Sequence, residues 1–130
     1  MIEIAGCAII KDGKLLLLWK KKHSHYELPG GKIEPGETPE QAAVREANEE
    51  IVCTVQILQY GGYDDVSYQD KELRGHIFLA KIIEGEPNIM EPEIFGEMIW
   101  LPVNMLGKHK LAKNLRQFCI RYFENSDKPY

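Results

Sequence analysis

Hydrophobic and polar positions along this chain follow two different periods, and each period predicts an element. Ile2 to Ile10 is a strand-length run of apolar and small residues. Lys11-Asp12-Gly13 is a turn signal, after which Lys14 to Lys20 (KLLLLWK) returns as a second strand. Leu15 to Leu18 leave neither face of that strand polar, which predicts a sheet covered on both sides. Lys21 to Gly31 reads as a loop, basic and histidine-containing at its start and Pro-Gly-Gly at its end. The period then becomes helical. Thr38 is suited to cap the helix, Pro39 to its first position and Gln41 to complete a capping box. Val44, Ala47 and Ile51 make its apolar stripe, with Glu46, Glu49 and Glu50 roughly opposite.

Past this helix, Val52 to Tyr60 reads as a strand. Gly61 to Lys71, polar and carrying Gly61-Gly62 and Asp64-Asp65, reads as a loop, and Glu72 to Glu84 as a further strand. Glu84 to Glu97 is an acidic loop with Pro87 and Pro92. Met98 to Leu101 is a short strand that Pro102 ends. Leu111, Leu115, Phe118, Cys119 and Tyr122 recur at helical spacing, predicting a second amphipathic helix over Lys110 to Phe123. The polar tail after Asn125 is expected to fray. Strands flanked by two helices predict an α/β (α+β) chain with a mixed sheet between helical layers.

Length and charge narrow this picture without changing it. The 130 residues suffice for one domain with one core, 1–130. A net charge of −4 argues against a nucleic-acid duplex or an anionic membrane as partner. Cys7, Cys53 and Cys119 are widely spaced among apolar neighbours, without a CxxC or Cys/His pairing, and are expected to be buried thiols in a reducing cytoplasm. The start, MIEIAGCAII, lacks the basic opening of a secretory signal, and no apolar run is long enough to span a bilayer.

The carboxylates of the first helix carry the chemistry. Positions three and four apart on a helix lie about 5–6 Å apart between Cβ atoms, so Glu46, Glu49 and Glu50 crowd one another. A solvated acidic face would need basic partners, and from Pro39 to Ile51 the only one is Arg45. Hard oxygen ligands so clustered suit Mg²⁺ or Mn²⁺, and Mg²⁺ sites usually serve phosphate chemistry.

The segment GKIEPGETPEQAAVREANEEIVC, Gly31 to Cys53, resembles the Nudix hydrolase signature G-x5-E-x7-R-E-U-x-E-E-x-G-U, with U a bulky apolar residue. Gly31, Glu37, Arg45, Glu46, Glu49 and Glu50 match, Ala47 and Cys53 stand at the U positions, and Val52 replaces the last glycine. Tyr26-Glu27-Leu28-Pro29-Gly30 looks like the family's approach to this box. A β-branched residue resists the left-handed backbone that glycine allows, so the helix is expected to leave by another geometry.

The resemblance implies a Nudix-type α/β/α sandwich and a Mg²⁺-dependent pyrophosphohydrolase, with Mn²⁺ able to substitute. Glu46 and Glu50 would be principal metal ligands, Glu49 a third ligand or the base, and the Gly30 carbonyl a further ligand. Arg45 would orient the carboxylates, Gly31 form the turn and contact substrate, and Glu37 brace the loop–helix junction or bind metal through a water. Glu97, with Glu93 behind it, is a second candidate for metal ligand or base. Lys20, Lys21 and Lys22 could meet substrate phosphates, and Tyr26 either packs under the loop or stacks on a base. His23, His25, Arg74, His76 and Asn114 are weaker substrate candidates. The substrate would be a nucleoside diphosphate linked to a group X. A (d)NTP is favoured, with nucleotide sugars and dinucleoside polyphosphates as alternatives and a non-catalytic nucleotide-binding module as the rival class. A cytoplasmic monomer or homodimer is expected.

Overall fold

The computed structural model describes residues 1–124, with side chains through Phe123, so the tail after Asn125 lies outside the described residues. Strands β1 (Ile2–Lys11) and β2 (Lys14–Lys20) form a hairpin about Asp12 and Gly13, both at positive φ (53° and 74°). That is the two-residue turn whose twist matches its strands. The predicted loop after β2 contains two short strands, β3 (His25–Glu27) on β2 and β4 (Gly30–Lys32) on β1. Helix α1 spans Pro39–Ile51. Its capping box is formed: the Gln41 N–H donates to Thr38 Oγ1 (3.1 Å) and the Thr38 N–H to Gln41 Oε1 (2.9 Å). Such a cap is worth about 1 kcal/mol.

Three boundaries differ from the sequence reading. Strand β5 (Thr54–Tyr68) continues through the predicted loop Gly61–Lys71 and pairs with β6 (Lys71–Glu84). Gly61-Gly62 makes a bulge, with Gly62 at φ 90°, and the turn itself falls at Gln69 and Asp70, both at positive φ. Tyr63, Val66 and Tyr68 favour β geometry on either side of the charged residues. Second, β7 (Phe95–Pro102) begins before the predicted Met98 and pairs with β2. Third, the predicted helix Lys110–Phe123 forms α2 only over Lys113–Cys119, followed by a wider turn over Ile120–Glu124. Residues 110–112 are extended because β3 uses their backbone. The Tyr26 N–H donates to the Lys110 carbonyl (2.8 Å) and the Ala112 N–H to the Tyr26 carbonyl (2.9 Å).

The sheet order is β3-β2-β1-β6-β5, with β4 also on β1 and β7 also on β2. β1 and β6 are parallel, and the other named pairs antiparallel. One face carries Cys7, Ile9, Leu16, Leu18 and Phe78 against Ala43, Ala47 and Ile51 of α1. The other carries Leu15, Leu17, Ile77 and Leu79 against Leu115 and Phe118 of α2. The leucine run therefore feeds both cores alternately. The three cysteines are buried and unbridged; the Cys7 thiol donates to the Ala43 carbonyl (3.4 Å). No described helix is long and apolar enough to cross a membrane.

Candidate active site

The acidic corner lies where the glycines of β4 meet the side of α1. Gly31 faces Glu46 so closely that a Cβ there would fall 2.7 Å from its carboxylate and would have to displace it. The Gly30 N–H donates to Glu50 Oε1 (2.8 Å). Glu46 and Glu50, one turn apart, thus lie half-buried against β4, whereas the Glu49 side chain is 58% exposed. The three do not share one outward face as the sequence reading had it. Steps of about 100° per residue turn Glu49 away from the sheet edge that Glu46 and Glu50 touch.

Arg45 holds the corner together. Its Nε and Nη2 donate to the two oxygens of Glu37 (2.7 and 2.9 Å), and Nη2 also to the Lys32 carbonyl (3.0 Å). Its Nη1 donates to Glu46 (2.8 Å) and Glu49 (3.2 Å). Glu37 also accepts from the Glu34 N–H (3.0 Å). The Arg45 hydrogen bonds, then that backbone bond, hold the Glu37 carboxyl down at about 2. Glu50 is in no ion pair among the described residues. Burial, reinforced by the charges of Glu46 and Glu27 and opposed by the Gly30 N–H, pushes its carboxyl up to about 8.

A cleft of about 320 Å³ opens beside this corner. Gly30, Gly31, Glu27, Lys20 and Lys32 line it toward the carboxylates; Leu28, Ile77, Leu115, Asn114 and Tyr68 line the remainder. His23 and His25 also reach it. His25 Nε2 lies 2.6 Å from Glu27 Oε2, and His23 Nδ1 lies 2.6 Å from the Tyr68 hydroxyl.

Other sequence candidates lie elsewhere. Glu97 pairs across β7 and β2 with Trp19, on the face opposite α1, and accepts a hydrogen bond from the Tyr26 hydroxyl. It is not brought to Glu46 and Glu50, because the β2–β7 register, unbroken as far as Trp19, sets it opposite that residue, on the same face as Leu15 and Leu17. Tyr26 packs edge-on between Trp19 and His109 and does not line the cleft. Lys22 is exposed in the turn before β3. Glu93 lies in the irregular stretch before β7. Arg74 pairs with Asp65 (2.8 Å) and His76 with Glu3 (2.9 Å), away from the cleft lining. Glu27 had no role in the sequence reading, although its register beside Leu18 and its alternation with His25 carry the signal.

The NUDIX domain model matches residues 2–122. The chain belongs to the NUDIX family. It is 35% identical over 109 residues to a protein named "Putative 8-oxo-dGTP diphosphatase YtkD" from Bacillus subtilis, covering 80% of this chain and 67% of that one. It is 36% identical over 81 residues to an Escherichia coli CTP pyrophosphohydrolase, covering 59% of this chain and 56% of the relative. A crystal structure of a MutT NUDIX hydrolase from Burkholderia pseudomallei superposes with a TM-score of 0.86 at 25% identity, covering 93% of this chain and 97% of that one. The protein is therefore a Nudix hydrolase, MutT-like in fold, with its mixed sheet between helices.

Nudix hydrolases generally use divalent metal ions, and the donor set here fits one. Among the described residues, no three acidic, His or Cys side chains converge on a point as they lie. Glu46 accepts from Arg45 and Glu50 from the Gly30 N–H. A half-buried carboxylate that no cation pairs is costly. Glu50 is such a group, and a hard divalent cation would compensate it.

The box departs from the signature at Val52, and the outcome differs from expectation. Val52 ends α1 in the left-handed conformation itself (φ 59°, ψ 32°), its N–H donating to the Asn48 carbonyl (3.1 Å).

Proposed function

We propose that this Nudix hydrolase is a Mg²⁺-dependent pyrophosphohydrolase that cleaves a (d)NTP to the monophosphate and pyrophosphate. The observation that carries this reading is the continuity of the cleft with the acidic corner. Gly30, Gly31 and Glu27 border both, with Lys20 and Lys32 alongside. A nucleoside in the apolar part of the cleft, near Asn114, would direct its phosphates toward Lys20, Lys32 and the carboxylates.

Glu46, Glu50 and the Gly30 carbonyl would hold the ion. Bound there, it would neutralise charge on the phosphate oxygens and acidify a water. Arg45 keeps Glu46 and Glu49 oriented and, through Glu37, fixes the loop that carries the glycines. Glu49, the most exposed of the three, takes the proton of the attacking water. The water oxygen bonds to one phosphorus of the anhydride as its bridging P–O bond breaks, and the displaced phosphate group leaves with the electron pair. Glu97, bound to Tyr26 on the other face, takes no part in this scheme.

Product release across (d)NTPs, nucleotide sugars and dinucleoside polyphosphates, with Mg²⁺, Mn²⁺ or EDTA, tests it. Pyrophosphate release from a (d)NTP, abolished by EDTA, is expected. Glu50→Gln should fold normally and lose turnover by two or more orders of magnitude, and near-normal activity in that variant would sink the assigned site. Tight nucleotide binding without turnover of any compound would mark a non-catalytic module instead.

A further inference from the structure

The end of the catalytic helix is the least conventional part of this molecule. Val52 occupies a conformation that costs an ordinary L-residue roughly 1–2 kcal/mol, so the surrounding structure must hold it there. Three contacts do so, all from the start of the segment between β6 and β7. Gly85, at φ 96°, packs on the Val52 carbonyl so closely that a Cβ would fall 2.6 Å from that oxygen. The Asn88 N–H donates to the Ile51 carbonyl (3.2 Å) and the Met90 N–H to the Glu50 carbonyl (3.3 Å). These carbonyls belong to the last turn of α1, where no further helical N–H follows to satisfy them. Ile89, between the two donors, packs into the core under α1. One of the capped residues is Glu50 itself, whose side chain reaches β4.

We propose that Gly85–Met90 is a positioning clamp for Glu50, which does through tertiary contacts what a glycine at position 52 would do locally. The inference rests on the reading of Glu50 as a metal ligand. Gly85 and Asn88 touch neither substrate nor metal in it, and act only through the backbone of Glu50, Ile51 and Val52.

The test combines Gly85→Ala, Asn88→Pro, Asn88→Ala, Val52→Gly and the pair Val52→Gly/Gly85→Ala, with Glu50→Gln as reference. Mn²⁺ affinity is read by titration of the free ion's magnetic-resonance signal, beside kcat, KM and melting temperature. Gly85→Ala and Asn88→Pro should each weaken Mn²⁺ binding and lower kcat about tenfold. Nucleotide affinity in EDTA should stay within twofold, since the cleft is untouched. Asn88→Ala keeps the donating N–H and should behave as wild type. Val52→Gly should restore Gly85→Ala in part, because a glycine at 52 lets the helix end shift away from the new methyl group while the strain of a side chain at φ 96° remains. Should Gly85→Ala fail to fold, Asn88→Pro decides the matter. Wild-type Mn²⁺ affinity and kcat in the folded clamp variants, with Glu50→Gln defective, would overturn the clamp alone. Wild-type behaviour of Glu50→Gln would overturn the metal-site reading and the clamp with it.

Discussion

Arg45 faces four acidic side chains within salt-bridge distance, Glu34, Glu37, Glu46 and Glu49, and its planar fork reaches both oxygens of Glu37. Lysine carries the charge without the fork. Arg45→Lys is therefore expected to keep the fold and lower kcat by tenfold or more, with a smaller change in KM; steady-state kinetics check this. Tyr26 offers a second test. Its hydrogen bond to Glu97, then partial burial and the Glu97 charge, push its phenol up to about 12. The unfolded value is near 10, so the stability this group contributes is present below about pH 10 and is lost as pH rises through 12. Glu97→Gln should move the Tyr26 midpoint down toward 10, read as the phenolate absorbance difference between each protein and its Tyr26→Phe counterpart. An unmoved midpoint would refute the assigned bond. At this scale the match of Arg45, Glu46, Glu49 and Glu50 to the Nudix signature was legible in the sequence. The direction of Glu97 was not, because the register of β7 on β2, a pairing of segments far apart in the chain, decides which face it takes.

At the scale of elements, α1 was readable to the residue at its start, since Thr38, Pro39 and Gln41 act locally. Its end was not. Val52 argued against a left-handed exit, yet contacts from residues 85–90, more than thirty positions away, hold it there. Val52→Gly should release this strain and stabilise the protein by about 1 kcal/mol, discounted for the greater freedom of glycine in the unfolded chain. That corresponds to a rise in melting temperature of about 3–5 °C, measurable by calorimetry; an unchanged or lower value would show that the site is unstrained. The same distinction explains β5 and α2. Gly61-Gly62 looks like a turn until Gly61 is seen against the Ile77 carbonyl, where a Cβ would fall 2.8 Å away. Leu111 continues a helical spacing but is bridged to Tyr26.

For the whole molecule, the sheet has a core on each face, and the leucine run serves both. Leu16→Ala and Leu17→Ala remove fully buried side chains from opposite cores. Each should cost about 2–5 kcal/mol. Denaturant titration checks both, and a marginal loss in either would mean that its face is not a packed core. The cleft belongs to this scale as well. Its walls come from β1, β2, β3, β4, β5, β6 and α2, so no local window of sequence contains it.

The sequence by itself determined the clustering of the carboxylates on one helix, the start of that helix and a sheet buried on both faces. Those properties follow from spacing, capping and hydrophobic period, which act over a few residues. Tertiary structure alone decided that Glu46 and Glu50, rather than Glu49, lie against the glycines of β4. It also decided that Glu97 lies on the far face and that a valine ends the helix where a glycine was expected. Each outcome depends on strand register or on hydrogen bonds between distant segments, and a pattern read along the chain holds no information about which distant backbone will supply them.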